Sequence, residues 1–152
     1  MVLVTRPEWS ETWLSVAETM AKRSLCTRRQ VGAVIVKGNY LVSVGYNCTP
    51  PKQAECFSGG CPRGGLTGPL PEDYSAYECW ALHAEANALL RAGERSQGAS
   101  LYCTHRPCPQ CQNLIMGAGL EFVFWPEKVD GGELLYWSPG VAAWYPSGGR
   151  MT

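Results

Sequence analysis

Apolar side chains near the N-terminus recur at helical spacing. Between Trp9 and Met20 they lie three or four residues apart, as on one face of an amphipathic helix. Thr5 and Glu8 stand just before them at the spacing of a capping box, which indicates that the helix begins here. We therefore predict a helix that extends to about Leu25 and packs its apolar face on the rest of the fold.

The following residues alternate between strand-like and helix-like patterns. Two short β-branched or apolar runs joined by turn residues predict a β-hairpin, and later patterns predict helix, strand, helix and strand in that order. The predicted strands are 31–36, 41–46, 99–104 and 121–125, and the later helices are 81–92 and 109–118. A hairpin followed by strands that alternate with helices indicates a mixed sheet with helices on both faces.

Two segments do not fit these patterns. Residues 47–77 hold much of the Gly and Pro and three of the eight cysteines, and a loop of that length is usually functional or pinned. Residues 126–152 form an aromatic tail rich in Gly and Pro, with one short helix predicted near 133–137. Because no linker divides the 152 residues, we predict a single domain over 1–152 with its core at about 7–125.

Composition limits the possible functions. Hydrophobic residues make up 45% of the chain and charged residues 17%, a composition typical of globular proteins. Its thirteen basic residues balance thirteen acidic ones, so the formal net charge is zero. Polynucleotide-binding surfaces usually carry excess positive charge, so a single nucleotide is the more compatible ligand. Because a signal-peptide pattern and a membrane-spanning stretch are both missing from the sequence, we expect a cytoplasmic protein. In a reducing compartment, eight cysteines favour metal binding or catalysis over disulfides.

Three short strings carry candidate chemistry: His83-Ala-Glu85, Pro107-Cys108 and Cys108-Pro-Gln-Cys111. Cys108 and Cys111 lie three apart at the start of a predicted helix, so both sulfurs share one face, and the helix N-terminus favours thiolates. His83, at the start of the other helix, can supply a third ligand. A catalytic zinc takes three such ligands and keeps one open position.

Glu85 stands two residues after His83, near the metal without having to bind it. This placement suits a carboxylate that takes a proton from the attacking water and returns it to a substrate nitrogen. Taken alone, Cys-x-x-Cys is also typical of structural zinc or a redox pair, and His-x-Glu often occurs by chance. The combined pattern is the one expected of zinc nucleobase deaminases.

The motifs resemble a known family. His83-Ala-Glu-Ala-Asn-Ala88 and Thr104-His-Arg-Pro-Cys-Pro-Gln-Cys111 are similar to the two motifs of the cytidine deaminase superfamily. Cys26-Thr-Arg-Arg-Gln-Val-Gly-Ala-Val-Ile-Val36 and Gly45-Tyr-Asn-Cys-Thr-Pro50 are similar to deoxycytidylate (dCMP) deaminases. The resemblance covers about 9–125. It implies a three-layer α/β/α sandwich around a five-stranded mixed sheet, Zn²⁺, hydrolytic deamination at C4 of a cytosine deoxynucleotide (dCMP to dUMP) and a homo-oligomer.

The resemblance also implies substrate contacts. Asn47 corresponds to an asparagine that hydrogen-bonds the sugar, although an asparagine here also suits a turn cap. The backbone amide of Ala84 is expected to position the base or the water. Cys48 departs from the family, which commonly has Gly-Tyr-Asn-Gly-Thr-Pro, and this change can alter the pocket and favour a 5-modified dCMP.

Basic residues supply candidates for binding the 5′-phosphate. Arg28 or Arg29, in the longest basic stretch of the chain, can bind a phosphate bidentately, although such a stretch is as often a solvated surface. Lower-ranked candidates are Arg91, Arg95 and Arg106. His105 follows a predicted strand closely, and we interpret it as a loop residue or a pocket wall.

Six further cysteines need an explanation. Cys56, Cys61 and Cys79 bracket the long loop, which has little apolar content, and a structural zinc would order it. Cys48 is the nearest candidate for a fourth ligand, and free thiols are the alternative. Cys26 and Cys103, next to or within apolar strands, are most simply small core residues.

Three other functional classes share parts of the pattern. A tRNA or single-stranded DNA deaminase has the same zinc motifs, but the zero net charge and the dCMP-like strings count against it. A zinc-stabilised binding module without turnover would have no need of Glu85. A disulfide-rich secreted protein conflicts with the missing signal sequence.

Overall fold

The computed structural model describes residues 4–66, 69, 72 and 78–126. In chain order the helices and strands are α1 (Trp9–Ala21), β1 (Gly32–Lys37), β2 (Tyr40–Tyr46), α2 (Ala84–Ala92), β3 (Ser100–Cys103), α3 (Pro109–Gly117) and β4 (Phe122–Phe124). The four strands form one sheet in the order β2-β1-β3-β4. β1 is antiparallel to both β2 and β3, whereas β3 and β4 are parallel. The mixed sheet and the order of elements confirm the prediction.

Side chains that alternate along β1 divide the core into two layers. Val34 and Val36 pack with α1 on one face of the sheet. Ala33 and Ile35 face the opposite side, where α2 and α3 lie. The structure is therefore an α/β/α sandwich, and its described part holds four of the five expected strands. None of the helices in this part has both the length and the apolar character of a membrane span.

Two glycines allow the helices to approach the sheet closely. A Cβ atom on Gly32 would lie 1.8 Å from the Ala17 carbonyl oxygen of α1. A Cβ atom on Gly45 would lie 2.2 Å from the Ala84 carbonyl oxygen and 2.6 Å from the Ala88 nitrogen of α2. Because such distances exclude any side chain, Gly32 lets α1 lie close to the hairpin and Gly45 does the same for the first turn of α2.

Helix boundaries differ from the prediction for local reasons. Glu8 rather than Thr5 is the N-cap of α1, and the Glu8 amide donates to the Glu11 carboxylate at 3.1 Å. The helix ends at Ala21, four residues before Leu25, and the Ser24 hydroxyl then donates to the Asn47 carbonyl at 2.7 Å. This bond ties the chain to the end of the hairpin.

The start of α2 is also later than predicted. Leu82 forms a backbone bridge with Cys48, with hydrogen bonds in both directions, so the helix begins only at Ala84. His83 becomes the N-cap residue and lies at the junction between the bridge and the helix. The short helix predicted near 133–137 lies outside the described residues.

Candidate active site

The starts of α2 and α3 bring three metal-ligating side chains together. His83 is the N-cap of α2, Cys108 is the N-cap of α3, and Cys111 lies in the first turn of α3. The Nδ1 atom of His83 lies 3.5 Å from the Cys108 Sγ and 3.4 Å from the Cys111 Sγ. All three donor atoms lie within 4.8 Å of one another, and no other set in the described ranges is this compact.

These distances fit a tetrahedral zinc ion. Zn–N and Zn–S bonds of ordinary length at a tetrahedral angle separate the nitrogen from each sulfur by about 3.6 Å. The observed separations of 3.4 and 3.5 Å to the His83 nitrogen agree with that value. His83 is exposed whereas Cys111 is buried, so the donor set has one side toward solvent. The structure thus combines the right donor atoms with an approach for substrate.

The loop before α3 is held from both ends. Pro107 and Pro109 flank Cys108, and Pro109 occupies the first helical position, where its missing N–H costs nothing. The buried Gln112 side chain donates to the Pro107 carbonyl at 3.0 Å. At the other end, the Thr104 amide donates to the Gly32 carbonyl at 3.0 Å, which extends the pairing of β1 with β3. The ligand loop is therefore fixed to the central strand.

Glu85 lies at the inner side of the donor set. Its side chain is buried, and Oε2 lies 3.7 Å from the Cys111 Sγ. Burial raises the pKa of the Glu85 carboxyl, against the smaller opposing effects of its own backbone N–H and of His83. A carboxyl group with a raised pKa next to metal-ligating side chains suits proton transfer in both directions.

A comparison of sequences identifies the family. The chain matches the family described as the cytidine and deoxycytidylate deaminase zinc-binding region over residues 7–126. The chain belongs to the cytidine and deoxycytidylate deaminase family. Its members bind zinc in this region, and the donor set of His83, Cys108 and Cys111 is the one that fits the ion. The cofactor of this deaminase is Zn²⁺.

Individual relatives support the assignment. Deoxycytidylate deaminase of Mycobacterium phage D29 is 45% identical over 130 residues, which cover 82% of this chain and 99% of that protein. The Schizosaccharomyces pombe deoxycytidylate deaminase is 41% identical over 78% of this chain but only 37% of its own length. A solved dCMP deaminase from cyanophage S-TIM5, in complex with dCMP and dUMP, has a TM-score of 0.59 and 31% identity, covering 81% of this chain and 84% of that one.

Asn47 is a structural clamp in this deaminase. Its buried side chain accepts a hydrogen bond from the Val31 amide at 2.8 Å and donates to the Arg29 carbonyl at 2.7 Å. An amide oxygen and an amide nitrogen can each make one further bond, so the predicted sugar contact stays a prediction. Ala84 is the first residue of α2, where a backbone amide has no acceptor within the helix. Its contact with base or water likewise stays a prediction.

The two neighbouring arginines diverge. The Arg28 guanidinium donates to the Leu66 carbonyl and is therefore engaged by the long loop. Arg29 is exposed, and its positive charge adds to the larger effect of burial in lowering the pKa of His105. Of the two arginines, Arg29 has the more exposed side chain, and the phosphate contact predicted for either of them stays a prediction.

The lower-ranked arginines all contact their own chain. Arg91 donates to the Val44 carbonyl at 2.9 Å, and Arg95 donates to two carbonyls of the preceding turn. The Arg106 guanidinium lies 5.7 Å from the centre of the Trp125 ring. Each of these three arginine side chains therefore has a contact within the protein that does not involve a bound phosphate.

The structure changes the expected grouping of the remaining cysteines. Cys48, the candidate fourth ligand of a second zinc, instead faces Asn87, whose side-chain nitrogen lies 3.5 Å from its sulfur. Cys26, predicted as a core residue, is only half-buried and belongs to neither core layer. The neighbouring Thr27 hydroxyl donates to the Gly64 carbonyl at 2.7 Å, which brings this segment to the long loop. Cys103 is fully buried in the core, as predicted. All eight cysteines are described, and none of them forms a disulfide bond.

One buried polar residue was missed by the sequence interpretation. Asn87 donates from its side chain to the Tyr46 carbonyl at 2.8 Å and so fixes the first turn of α2 to the end of β2. It lies four residues after His83 on the buried side of an alanine-rich helix. A lone amide at such a position is the signal that could have identified it, since buried polar groups need partners.

Proposed function

We propose that the protein is a hydrolase that deaminates dCMP to dUMP, with His83, Cys108 and Cys111 as zinc ligands and Glu85 as the proton carrier. The observation that carries this proposal is the three-atom donor set with a buried carboxylate at its inner side. The deoxycytidylate deaminase of phage D29 supports the choice of substrate, because this chain matches 99% of the length of that protein.

Glu85 performs two proton transfers in this reaction. Zinc, when bound, acts as a Lewis acid that makes water nucleophilic near neutral pH. Glu85 accepts a proton as the water oxygen adds to C4 of the pyrimidine, and gives it to the departing nitrogen. The C4–N bond breaks and ammonia leaves, so C4 keeps the oxygen. Burial favours this role because the raised pKa of Glu85 lets the same group take and release a proton.

Turnover of dCMP, CMP, deoxycytidine and 5-methyl-dCMP by the purified zinc protein tests the proposal. Loss of cytosine absorbance is the measurement. We expect deoxycytidine to have a kcat/KM about 10- to 100-fold below that of dCMP, because charge-assisted phosphate contacts contribute about 1.5–3 kcal/mol. Equal values for nucleotide and nucleoside would exclude a phosphate site. If no compound releases ammonia, the deaminase proposal is wrong.

Wider features of the protein follow from the same proposal. We infer that 1–152 is one deaminase domain, since the family match extends to residue 126.

Leu90 of α2 and Leu114 of α3 are exposed on the same side of the sheet, which supports a homo-oligomer that covers them. The thiol ligands must stay reduced to hold zinc, which supports a cytoplasmic location.

A second, structural zinc in the long loop is also proposed, with Cys26, Cys56, Cys61 and Cys79 as ligands and Cys48 left out. Cys56 and Cys61 pack together on Gly64, whose added Cβ would lie 3.0 and 3.4 Å from theirs. No three of these four sulfur atoms all lie within 4.8 Å of one another. Binding a common metal ion would therefore require the sulfur atoms to move closer together. The residues involved otherwise have little regular structure, so a metal would supply order.

The thiols of this group differ in their tendency to ionise. Backbone amides at Trp80, Gly64 and Arg63 lower the pKa of the Cys61 thiol although burial opposes them. Burial, followed by the charge of Cys61, raises the pKa of Cys56 to about 12. A divalent cation relieves this repulsion between neighbouring sulfurs, because metal binding stabilises thiolates.

Metal analysis tests the second site. We expect about two zinc ions per chain in the dialysed protein, one in the Cys56→Ser/Cys61→Ser variant, and two in the Cys48→Ser control. One zinc per chain in the unmodified protein would contradict the second site and leave the first intact.

A further inference from the structure

The first turn of α2 is tied to the end of β2 on both sides of His83. Before His83, Leu82 and Cys48 form a backbone bridge with hydrogen bonds of 2.8 and 3.2 Å. After it, the side-chain nitrogen of Asn87 donates to the Tyr46 carbonyl at 2.8 Å. Both contacts reach the same short segment, so the start of α2 and the end of β2 are held together as one unit.

Asn87 directs its side-chain amide at two acceptors of this segment. The nitrogen donates to the Tyr46 carbonyl and lies 3.5 Å from the Cys48 Sγ, within reach of a hydrogen bond to sulfur. A side-chain amide has two N–H donors, so each acceptor can take one of them. The family commonly has glycine at position 48, and glycine offers no side-chain acceptor. The second contact is therefore a feature of this chain.

The remaining packing of α2 on the hairpin is nearly smooth. Ala84 and Ala88 are fully buried and face Gly45, whose missing side chain lets the helix approach the strand. Such small side chains set the distance between the helix and the strand, but they offer little resistance to rotation of the helix about its axis. A directional hydrogen bond from the buried amide of Asn87 supplies that resistance, because a satisfied buried polar contact specifies one arrangement.

The placement of Glu85 depends on the orientation of α2. Its Oε2 atom lies 3.7 Å from the Cys111 Sγ, across the gap between α2 and α3. Zinc bound to Cys108 and Cys111 would hold His83 from the far side, whereas Glu85 stands beside the metal in the proposed mechanism without binding it. Rotation of α2 would therefore displace the carboxylate, and a displacement of about 1 Å can lower a rate about 10²-fold.

We propose that Asn87 is a positioning residue for the deamination reaction, in which it fixes the rotation of α2 so that Glu85 faces the reacting water and base. The inference rests on the proposed function, because Glu85 is the proton carrier there. Asn87 contacts the end of β2 and acts through the helix rather than on the substrate. Its loss should therefore slow the chemical step and leave the binding of nucleotide unchanged.

Kinetics with dCMP, binding of dUMP, zinc content and thermal melting, measured on the same variants, provide the test. Asn87→Ala should lower kcat by about 10- to 100-fold, while KM, the affinity for dUMP and the zinc content stay at the values of the unmodified protein. Asn87→Leu fills a similar volume without a donor and should give the same result. It carries the test if Asn87→Ala does not fold.

Ser43→Ala is the matched control. Ser43 is as buried as Asn87, and its hydroxyl donates from the same strand to the Ala88 carbonyl of the same helix at 2.7 Å. Because the carbonyls of a helix point along its axis, this bond holds the helix to the strand without fixing its rotation. Ser43→Ala should lower the melting temperature as Asn87→Ala does, and it should keep the kcat of the unmodified protein.

The outcomes separate positioning from general stabilisation. An unchanged kcat in the Asn87 variants would overturn the inference, as would an equal loss of kcat in Ser43→Ala or a loss of zinc or of dUMP affinity in the Asn87 variants. If neither Asn87 variant folded, the residue would have a purely structural role and the inference would be wrong. Absence of turnover in the unmodified protein is a different result, because it would contradict the proposed function itself and, with it, the role of Glu85 on which this inference rests.

Discussion

Glu85→Gln is expected to lower dCMP turnover by about 10²- to 10⁴-fold without unfolding the protein or removing its zinc. The substitution keeps the size and shape of a side chain that is 4% exposed, so the packing around it should survive. In the proposed mechanism it removes the group that takes a proton from water and gives it to the leaving nitrogen. Single-turnover kinetics, zinc content and thermal melting together measure the three parts of this expectation.

Glu94→Gln is the matched control for this experiment. Glu94 is an exposed carboxylate in the short turn after α2, away from the zinc ligands. Its amide variant should deaminate dCMP at the rate of the unmodified protein. If the Glu85→Gln protein kept near wild-type turnover, another group would have to carry the proton, and the proposed mechanism would be wrong.

The donor set was predictable because its placement depends on local sequence. His83 and Cys108 are the N-cap residues of two helices, and Cys111 follows three positions later on the same face. Such positions follow from helix spacing and from the prolines that flank Cys108, so no knowledge of distant contacts is needed. Glu85 was predictable for the same reason, as the second residue of its helix.

The substrate and loop residues depend on contacts that the sequence does not encode locally. Arg28 and Arg29 are adjacent, yet the Arg28 guanidinium donates to the Leu66 carbonyl whereas the Arg29 side chain is exposed. Their separation is set by the backbone clamp at Asn47, which joins parts of the chain that are 16 to 18 residues apart. Neither helical nor strand periodicity applies to that segment.

The fourth cysteine of the loop group shows the same difficulty. Cys48 lies nearer to Cys56 in the sequence than Cys26 does, and sequence distance favoured it as a ligand. A backbone bridge to Leu82 holds Cys48 against α2 instead. The Thr27 hydroxyl donates to the Gly64 carbonyl at 2.7 Å, which brings the segment next to Cys26 to the long loop. Long-range pairing therefore outweighs proximity along the chain.

Removing any one zinc ligand is expected to abolish both metal binding at the site and activity. We expect His83→Ala, Cys108→Ala and Cys111→Ala each to lose one zinc per chain after dialysis, with dCMP turnover falling to background. Removal of a partner of a ligand typically costs 10- to 100-fold in metal affinity, so loss of a ligand itself should exceed that. Elemental analysis and turnover on the same samples measure the coupling.

The melting temperature is expected to distinguish the three zinc-ligand variants from Glu85→Gln. Zinc held by the proposed ligands would join the first turns of α2 and α3. Because a ligand that binds only the folded state stabilises it, the three ligand variants should melt at lower temperature. Gln110→Ala changes an exposed residue between the two cysteines and should keep its zinc, melting temperature and activity. Chelation of zinc from the unmodified protein should reproduce the loss of activity seen in the ligand variants, and readdition should reverse it. Full zinc occupancy in all three variants would instead place the metal at other residues.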